Sequence, residues 1–363
     1  MSALPSSASW SSAPRHVTQN SVVDYARYVV DQAIAARDAF SHELHVDLPG
    51  VRVTMRGIGG PLEAAATRNF LPAGKSEPLP PDDSVEFFIA HAGIEGISPP
   101  AVWGDEIYAS HQIAETLAEA GLFASLYHEL THWHVLDIGR RVGVELMTGP
   151  TAFPPWETGA PLRPFLHWYY ADRGMRLSHA GTLGVDGTGV LLAGAGGSGK
   201  SGTVIGGLLH GLQSVGDDYV LLDLKEDVRA YPVYATLKQD AEGFARLGLA
   251  EHTDAGALNW QGKHEFRLNE ISRVPVPDEL RIRAMLVPRV ARTAETKISP
   301  ISRSQAMMAL AVSSIYQMPG ERESGFRFFS EATRRLPCFR LDLGRDPEEV
   351  SAAITRFIGD VAQ

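Results

Sequence analysis

The sequence has little of what marks secreted, membrane-spanning or nucleic-acid-binding proteins. Its 363 residues include one cysteine, Cys338, which excludes an internal disulfide and suits a reducing compartment. No apolar run reaches the roughly 18 residues of a membrane span, and residues 1–16 lack the basic and apolar regions of a secretory signal. The net charge of −10 disfavours a binder of phosphate backbones, which needs a basic face. We therefore expect a cytoplasmic protein without nucleic-acid or membrane partners.

The composition is otherwise that of a globular protein with more than one domain. With 44% hydrophobic and 21% charged residues the chain can build a sizeable core, and its length predicts roughly two to three domains. Prolines at positions 150, 154, 155, 161 and 164 exclude a continuous helix or a central strand there. We place a boundary in this segment. It separates a smaller N-terminal α+β domain, residues 1–155 with 1–18 disordered, from an α/β domain over residues 156–363.

Apolar periodicity predicts the main elements of both parts. It predicts helices over residues 22–40, 108–126, 200–212, 304–316 and 350–361, and strands over residues 51–55, 85–90, 190–193, 219–224, 281–287 and 339–343. A proline-rich loop is expected over residues 71–83. The last helix has a clear start, because Asp346 suits the N-cap and Pro347 the first helical position.

The most specific motif is a glycine-rich loop of the form G-x-x-x-x-G-K-[ST], placed between a predicted strand and a predicted helix. It consists of Gly194, Ala195, Gly196, Gly197, Ser198, Gly199, Lys200 and Ser201. The glycines let the backbone turn tightly, so that its N–H groups can converge on phosphate oxygens. Lys200 supplies a charge for the β and γ phosphates, and the Ser201 hydroxyl suits a magnesium ion. The loop predicts binding of a nucleoside triphosphate, ATP by default, with Mg²⁺.

A pair of carboxylates follows this loop. Asp217 and Asp218 precede the apolar segment 219–224 and are expected at the start of its strand. Because adjacent residues of a strand point to opposite faces, one carboxylate can face a metal while the other faces an acceptor hydroxyl as general base. A solvated turn is the alternative interpretation of the pair.

Three elements of the α/β domain predicted over residues 156–363 resemble the catalytic domain of HPr kinase/phosphorylase, whose fold is similar to that of phosphoenolpyruvate carboxykinase. They are Ser178-His179-Ala180, the loop 194–201, and the segment Gly216 to Val220. The resemblance covers roughly residues 165 to 345. It implies that Asp218 is the base taking the proton of an acceptor serine, that His179 assists near the phosphates, and that Asp217 helps to hold magnesium. Since HPr kinases form hexamers, it also raises homo-oligomerisation as an expectation.

One departure from this family concerns the substrate. The signature Glu-x-Arg-Gly-x-Gly of true HPr kinases is not found, and residues 231–238 stand after the Asp pair instead. The chain looks more like the divergent HPr kinase-related proteins found beside ribosomal peptide gene clusters, which include kinases of lasso precursor peptides. The expected activity is transfer of the γ-phosphoryl group to a serine-type hydroxyl of a peptide or protein. Candidate cations for the transferring charge are Lys238, Arg281, Arg283 and Arg289, and a surface cation is the alternative interpretation of each.

Two other functions stay open at this point. The alternatives to a peptide or protein kinase are an ATP-binding regulatory module that transfers no phosphate and a kinase of a small hydroxylated metabolite. A third alternative, a zinc protease, comes from His128-Glu129-Leu130-Thr131-His132, which matches H-E-x-x-H. Alternating apolar residues from His132 onward, and again from Val142, predict a hairpin instead. A strand that begins at the second histidine removes the one-turn spacing that zinc needs, although Glu145 or Glu157 offers a third ligand.

Overall fold

A computed structural model describes residues 19–57, 60–72, 84–91, 111–127, 132–147, 154–254, 258–317 and 322–362. The predicted disorder of residues 1–18 and most of the predicted loop 71–83 lie outside these ranges. The chain groups into two compact units. Unit 1 comprises Met1–His45, Val53–Gly60 and Ser84–Phe153, and unit 2 comprises Val46–Arg52, Pro61–Asp83 and Pro154–Gln363. Two early segments are thus grouped with unit 2, and a domain boundary between residues 155 and 156 stays a prediction.

The first 150 residues contain a six-stranded sheet in the order β1-β2-β3-β6-β5-β4. The elements are α1 (Gln19–Ala35), β1 (Glu43–Leu48), β2 (Val51–Arg56), α2 (Gly60–Asn69), β3 (Ser84–His91), α3 (His111–Glu119), β4 (Leu122–Tyr127), β5 (His132–Asp137) and β6 (Val142–Met147). Helix α1 buries Val22, Ala26, Val29 and Ala33 at helical spacing in a core shared with Trp133 and Val144. The predicted strands 51–55 and 85–90 are confirmed, and the predicted helix 22–40 is confirmed except that it ends at Ala35.

The predicted helix over residues 108–126 is wrong in its second half. Helix α3 ends at Glu119, Gly121 follows with φ +72°, and Leu122–Tyr127 forms strand β4. A positive φ is readily adopted by glycine and stops a helix. The apolar residues after Gly121 pair with β5 instead, with Phe123 opposite Leu136. Residues 108–110 lie outside the described ranges.

The hairpin predicted after His132 is confirmed. Strands β5 and β6 pair antiparallel, with Trp133 opposite Leu146 and Val135 opposite Val144. The Asp137 carboxylate accepts a hydrogen bond from the Arg140 amide at 3.0 Å and so stabilises the connecting turn. His132 is therefore in a strand, while His128 to Thr131 lie outside the described residues.

Unit 2 is built on an eight-stranded mixed sheet and a two-stranded sheet formed by β12 and β13. Its elements, after α2, are α4 (Arg163–Asp172), β7 (Met175–Ser178), β8 (Ala180–Val185), β9 (Thr188–Ala193), α5 (Lys200–Leu209), β10 (Val220–Asp223), β11 (Arg229–Tyr231), β12 (Thr236–Asp240), α6 (Ala241–Arg246), β13 (Lys263–Arg267), α7 (Leu268–Ile271), β14 (Leu280–Thr293), β15 (Lys297–Pro300), α8 (Arg303–Tyr316), α9 (Arg322–Arg335), β16 (Cys338–Gly344) and α10 (Pro347–Ala362). The long strand β14 pairs in parallel with both β9 and β16. The predicted strands of this half and the predicted helices 304–316 and 350–361 are confirmed, and the protein is mixed α/β.

The order strand, glycine-rich loop, helix is confirmed by β9 and α5. Val204, Ile205 and Leu208 of α5 are fully buried, so packing stabilises a helix whose glycines disfavour it. A Cβ atom on Gly207 would lie 2.4 Å from the Leu183 side chain, so this glycine lets the helix approach strand β8. The helix ends at Leu209, earlier than predicted.

The N-cap expected at the start of the last helix is confirmed. Asp346 accepts a hydrogen bond from the Glu348 amide at 3.0 Å at the start of α10, as expected of an N-cap. Cys338 is buried, and burial raises the pKa of its thiol. Among the described residues, no helix combines the length and apolar character that crossing a bilayer requires.

Candidate active site

The glycine-rich loop runs from the end of β9 to the first residue of α5. Gly197 and Gly199 have φ of +81° and +97°, a left-handed conformation that favours glycine. Cβ atoms placed on Gly196 and Gly197 would meet nothing within 4 Å, so the outer side of the loop is open to a ligand. The first turn of α5 follows at once, with the Thr203 amide donating to the Gly199 carbonyl at 2.9 Å. The loop therefore presents backbone and a helix N-terminus to open space.

The lysine of the loop is buried against the first carboxylate of the Asp pair. Lys200 Nζ lies 2.7 Å from Asp217 Oδ1, and the two side chains are only 6% and 2% exposed. A buried charge is strongly disfavoured unless a partner of opposite charge compensates it. The structure thus shows directly that Lys200 and Asp217 occupy one site.

The two carboxylates diverge, but not for the reason the sequence suggested. Strand β10 begins only at Val220, so Asp217 and Asp218 lie in the bend before it and the expectation of strand alternation is wrong. Asp218 has φ +89°, which is uncommon and unfavourable for a residue other than glycine. Strained backbone of this kind is concentrated at functional sites, where the surrounding structure maintains it.

Asp218 contacts two basic side chains from different elements. Its Oδ1 lies 2.9 Å from Nε2 of His179, which sits between β7 and β8, and its Oδ2 lies 3.3 Å from Nζ of Lys238 on β12. Burial alone would raise the pKa of the Asp218 carboxyl. The charge of Lys238, the hydrogen bond from His179 and the charge of Lys200 outweigh burial and hold this pKa well below its usual value. Asp218 is therefore ionised at neutral pH.

The orientation of His179 is set by helix α8. The Gln317 side-chain nitrogen lies 3.3 Å from Nδ1 of His179, and the backbone N–H of His179 donates to the Ser314 hydroxyl at 2.9 Å. An amide N–H at Nδ1 favours the tautomer that carries its proton on Nε2, facing Asp218. The position of His179 in the sequence did not indicate that Ser314 and Gln317 would contact it.

Tyr219 and Arg163 complete this network and were missed by sequence reasoning. The Tyr219 hydroxyl donates to Gln317 Oε1 at 2.5 Å and accepts a hydrogen bond from Arg163, whose guanidinium carbon lies 5.1 Å from the ring centre. Burial raises the pKa of Tyr219 to about 12, against the lowering effect of Arg163. The hydroxyl therefore stays protonated at neutral pH. The sequence feature that could have pointed to Tyr219 is its position directly after the Asp pair.

These groups line a single cleft of about 660 Å³ in unit 2, within the size range of ordinary ligand pockets. Its wall includes Ala195, Gly196, Gly197, Gly199, Lys200, Ser201, His179, Asp217, Asp218 and Lys238. Gly194 and Ser198 do not line it; a Cβ on Gly194 would meet the Ser198 hydroxyl at 2.6 Å. Two tryptophans, Trp156 and Trp260, also line it, with ring centres 5.9 Å apart.

Of the candidate cations, Lys238 alone lies on this cleft. Arg281 and Arg283 form ion pairs with Asp227, at 3.2 and 3.9 Å, and Arg289 pairs with Asp342 at 2.6 Å. All three arginines are partly or largely exposed, as is usual for surface ion pairs. The candidate role of these arginines at the phosphates is therefore not supported by their positions.

The fold and the cleft define a mixed α/β protein in which a glycine-rich loop, an ion-paired lysine and an ionised aspartate face one cavity. No protein-family model matches the chain, and no curated protein matches it. Among solved structures, the chain is similar to the HPr(Ser) kinase/phosphatase from Coxiella burnetii, with a TM-score of 0.28 and 12% sequence identity over 52% of this chain and 99% of that chain. At this level of similarity, functional interpretation depends on the residues of the cleft.

Proposed function

We propose that the protein is an ATP-dependent kinase that transfers the γ-phosphoryl group to a serine-type hydroxyl of a peptide or protein. One observation carries the proposal. The open glycine-rich loop with Lys200 and the ionised carboxylate of Asp218 line the same cleft. A phosphate-binding element next to a group that can receive a hydroxyl proton is the minimum arrangement for phosphoryl transfer.

The residues of the loop fit a nucleoside triphosphate. The open side at Gly196 and Gly197 admits phosphates close to the backbone, and the start of α5 offers free N–H groups and the positive end of the helix dipole. Lys200 supplies positive charge, and Ser201 and Asp217 offer oxygen atoms of the kind that Mg²⁺ prefers. When bound, MgATP supplies the phosphoryl group and neutralises part of its charge.

Asp218 acts on the acceptor in this proposal. Its low pKa makes it a weak base, which suits phosphoryl transfer because the transition state is loose and needs little proton removal before bond formation begins. Its main contribution is to orient the hydroxyl and to receive the proton late. His179 and Lys238 hold the carboxylate in place at 2.9 and 3.3 Å.

Incubation of the full chain with γ-labelled ATP, Mg²⁺ and a lysate of its own host tests this function. We expect a phosphoserine on a peptide or protein, identified by mass spectrometry, with no label for Lys200→Met and labelling at least about a hundred-fold slower for Asp218→Asn. Label on a metabolite would replace the peptide by a small hydroxylated acceptor. ATP binding without any label transfer would contradict the kinase and favour the regulatory module.

Replacing Lys238 tests the electrostatic control of Asp218. Lys238→Met removes the largest influence that lowers the pKa of Asp218, while burial, which raises it, remains. We expect the acid-side fall of the transfer rate to move to higher pH by about one unit. The measurement is the pH dependence of kcat/KM with the acceptor found by labelling, and Lys225→Met, at an exposed lysine, is the control. An unchanged profile would show that Lys238 does not set this pKa.

A further inference from the structure

Three potential metal ligands lie on one face of the six-stranded sheet. His132 and His134 are two positions apart on β5, so their side chains leave the same face. Glu145 of β6 is directly opposite His134 in the register of the pair. The intervening Trp133 and Val135 leave the other face and pack in the core with α1. The cluster is therefore separate in sequence and in fold unit from the cleft of unit 2.

The cluster is buried and compact. The three side chains are each 0% exposed, and one ligand atom from each lies within 4.8 Å of the others. Glu145 Oε1 lies 2.5 Å from Nε2 of His132 and 4.0 Å from Nε2 of His134, and the two imidazole rings stack with centres 4.7 Å apart. Three nitrogen and oxygen donors thus converge on one small volume.

The carboxylate of Glu145 needs positive charge at this position. Among the described residues, its oxygens accept no hydrogen bond of acceptable geometry, and the ion pairs it makes are with the two histidines. An ionised carboxylate away from water is strongly disfavoured without a compensating cation or hydrogen bonds. A divalent metal bound by Glu145 and the imidazoles would supply that charge.

The surroundings of His134 favour a ligand role for its Nε2 atom. The Ser125 hydroxyl on β4 lies 3.3 Å from Nδ1 of His134. Metal-binding histidines usually make such a hydrogen bond through the ring nitrogen that does not bind the metal, and this bond fixes the orientation of the ring. A proton on Nδ1 leaves the lone pair of Nε2 directed to the cluster. Two imidazoles and one carboxylate are a common donor set for zinc.

We propose that His132, His134 and Glu145 bind one Zn²⁺ ion that stabilises unit 1. The site is not the H-E-x-x-H arrangement, since His132 and His134 come from one strand, β5, and Glu145 comes from the neighbouring strand β6. The proposal does not depend on the kinase function, because none of its ligands lines the nucleotide cleft.

Zinc content and thermal unfolding of the full chain test the site. We expect about one zinc per chain by elemental analysis, and a fall in Tm when a chelator removes it. His134→Ala and Glu145→Gln should each lower zinc affinity by at least about ten-fold. The matched control is His45→Ala, at an exposed histidine of unit 1, which should keep its zinc.

If a variant does not fold, binding of cobalt to the unchanged chain still tests the site. Co²⁺ added to metal-free full chain should give the visible absorption of nitrogen and oxygen ligands at low coordination number, and Zn²⁺ should abolish it. Protein that takes up neither metal would overturn the proposal and leave His132 and Glu145 as a buried pair. Zinc that survives His134→Ala and is released by His128→Ala would overturn it in favour of H-E-x-x-H.

Discussion

Asp218→Asn is expected to lower the rate of phosphoryl transfer by about 10²- to 10⁴-fold while ATP still binds. The amide is nearly isosteric but cannot receive a proton, and general-base groups contribute effects of this size. It also removes the charge that His179 and Lys238 contact at 2.9 and 3.3 Å. ATP binding should survive, because Lys200 and the loop backbone do not depend on Asp218 for their position.

Transfer and binding must be measured separately for this variant. Single-turnover transfer from labelled ATP gives the chemical step, and equilibrium binding of labelled ATP gives the affinity. The control is Asp172→Asn, since Asp172 is exposed at the end of α4 and lies outside the cleft lining. Transfer that is unaltered in Asp218→Asn would remove Asp218 from the role of base.

Lys200→Met is expected to abolish ATP binding and to destabilise the protein without nucleotide. The methionine keeps most of the aliphatic stem but leaves Asp217 buried without its partner at 2.7 Å. Breaking a buried ion pair on one side costs about 3–5 kcal/mol in the free energy of unfolding. Denaturant unfolding with and without MgATP measures both effects, and the stabilisation by nucleotide should disappear.

A double variant separates the two consequences of losing Lys200. Lys200→Met with Asp217→Asn removes both charges, so most of the lost stability should return while ATP binding stays absent. Lys225→Met serves again as the control for loss of one lysine. A single variant as stable as the unchanged chain would mean that Lys200 and Asp217 do not form a buried pair in solution.

Local patterns predicted those parts of the fold that depend on neighbours in sequence. Strand β9 and helix α5 around the glycine-rich loop, the hairpin after His132 and the N-cap at Asp346 were all predicted. Each depends on periodicity or on a capping side chain within a few residues. The helix predicted through Leu126 was wrong in its second half, because Gly121 has a positive φ that ends the helix, and the apolar residues after it form a strand instead.

Candidate residues of the site could be named from the sequence, and those named at Lys200, Ser201, Asp217, Asp218, His179 and Lys238 line the cleft, but the contacts among them could not be predicted. A loop motif is a local backbone property, so Lys200 and Ser201 could be assigned from the sequence. The contacts of Asp218 could not, because His179 comes from the β7–β8 junction and Lys238 from β12. The left-handed backbone at Asp218, rather than strand alternation, separates its carboxylate from that of Asp217.

The sequence by itself determined the glycine-rich loop, the elements on either side of it and the strand that begins at His132, since these follow from local backbone preference and apolar spacing. Tertiary structure alone decided which distant side chains meet. Helix α8 brings Gln317 to His179, and the register of β5 on β6 brings Glu145 to His134. Such contacts depend on long-range pairing, where a shift of one residue would turn each side chain to the opposite face of the sheet.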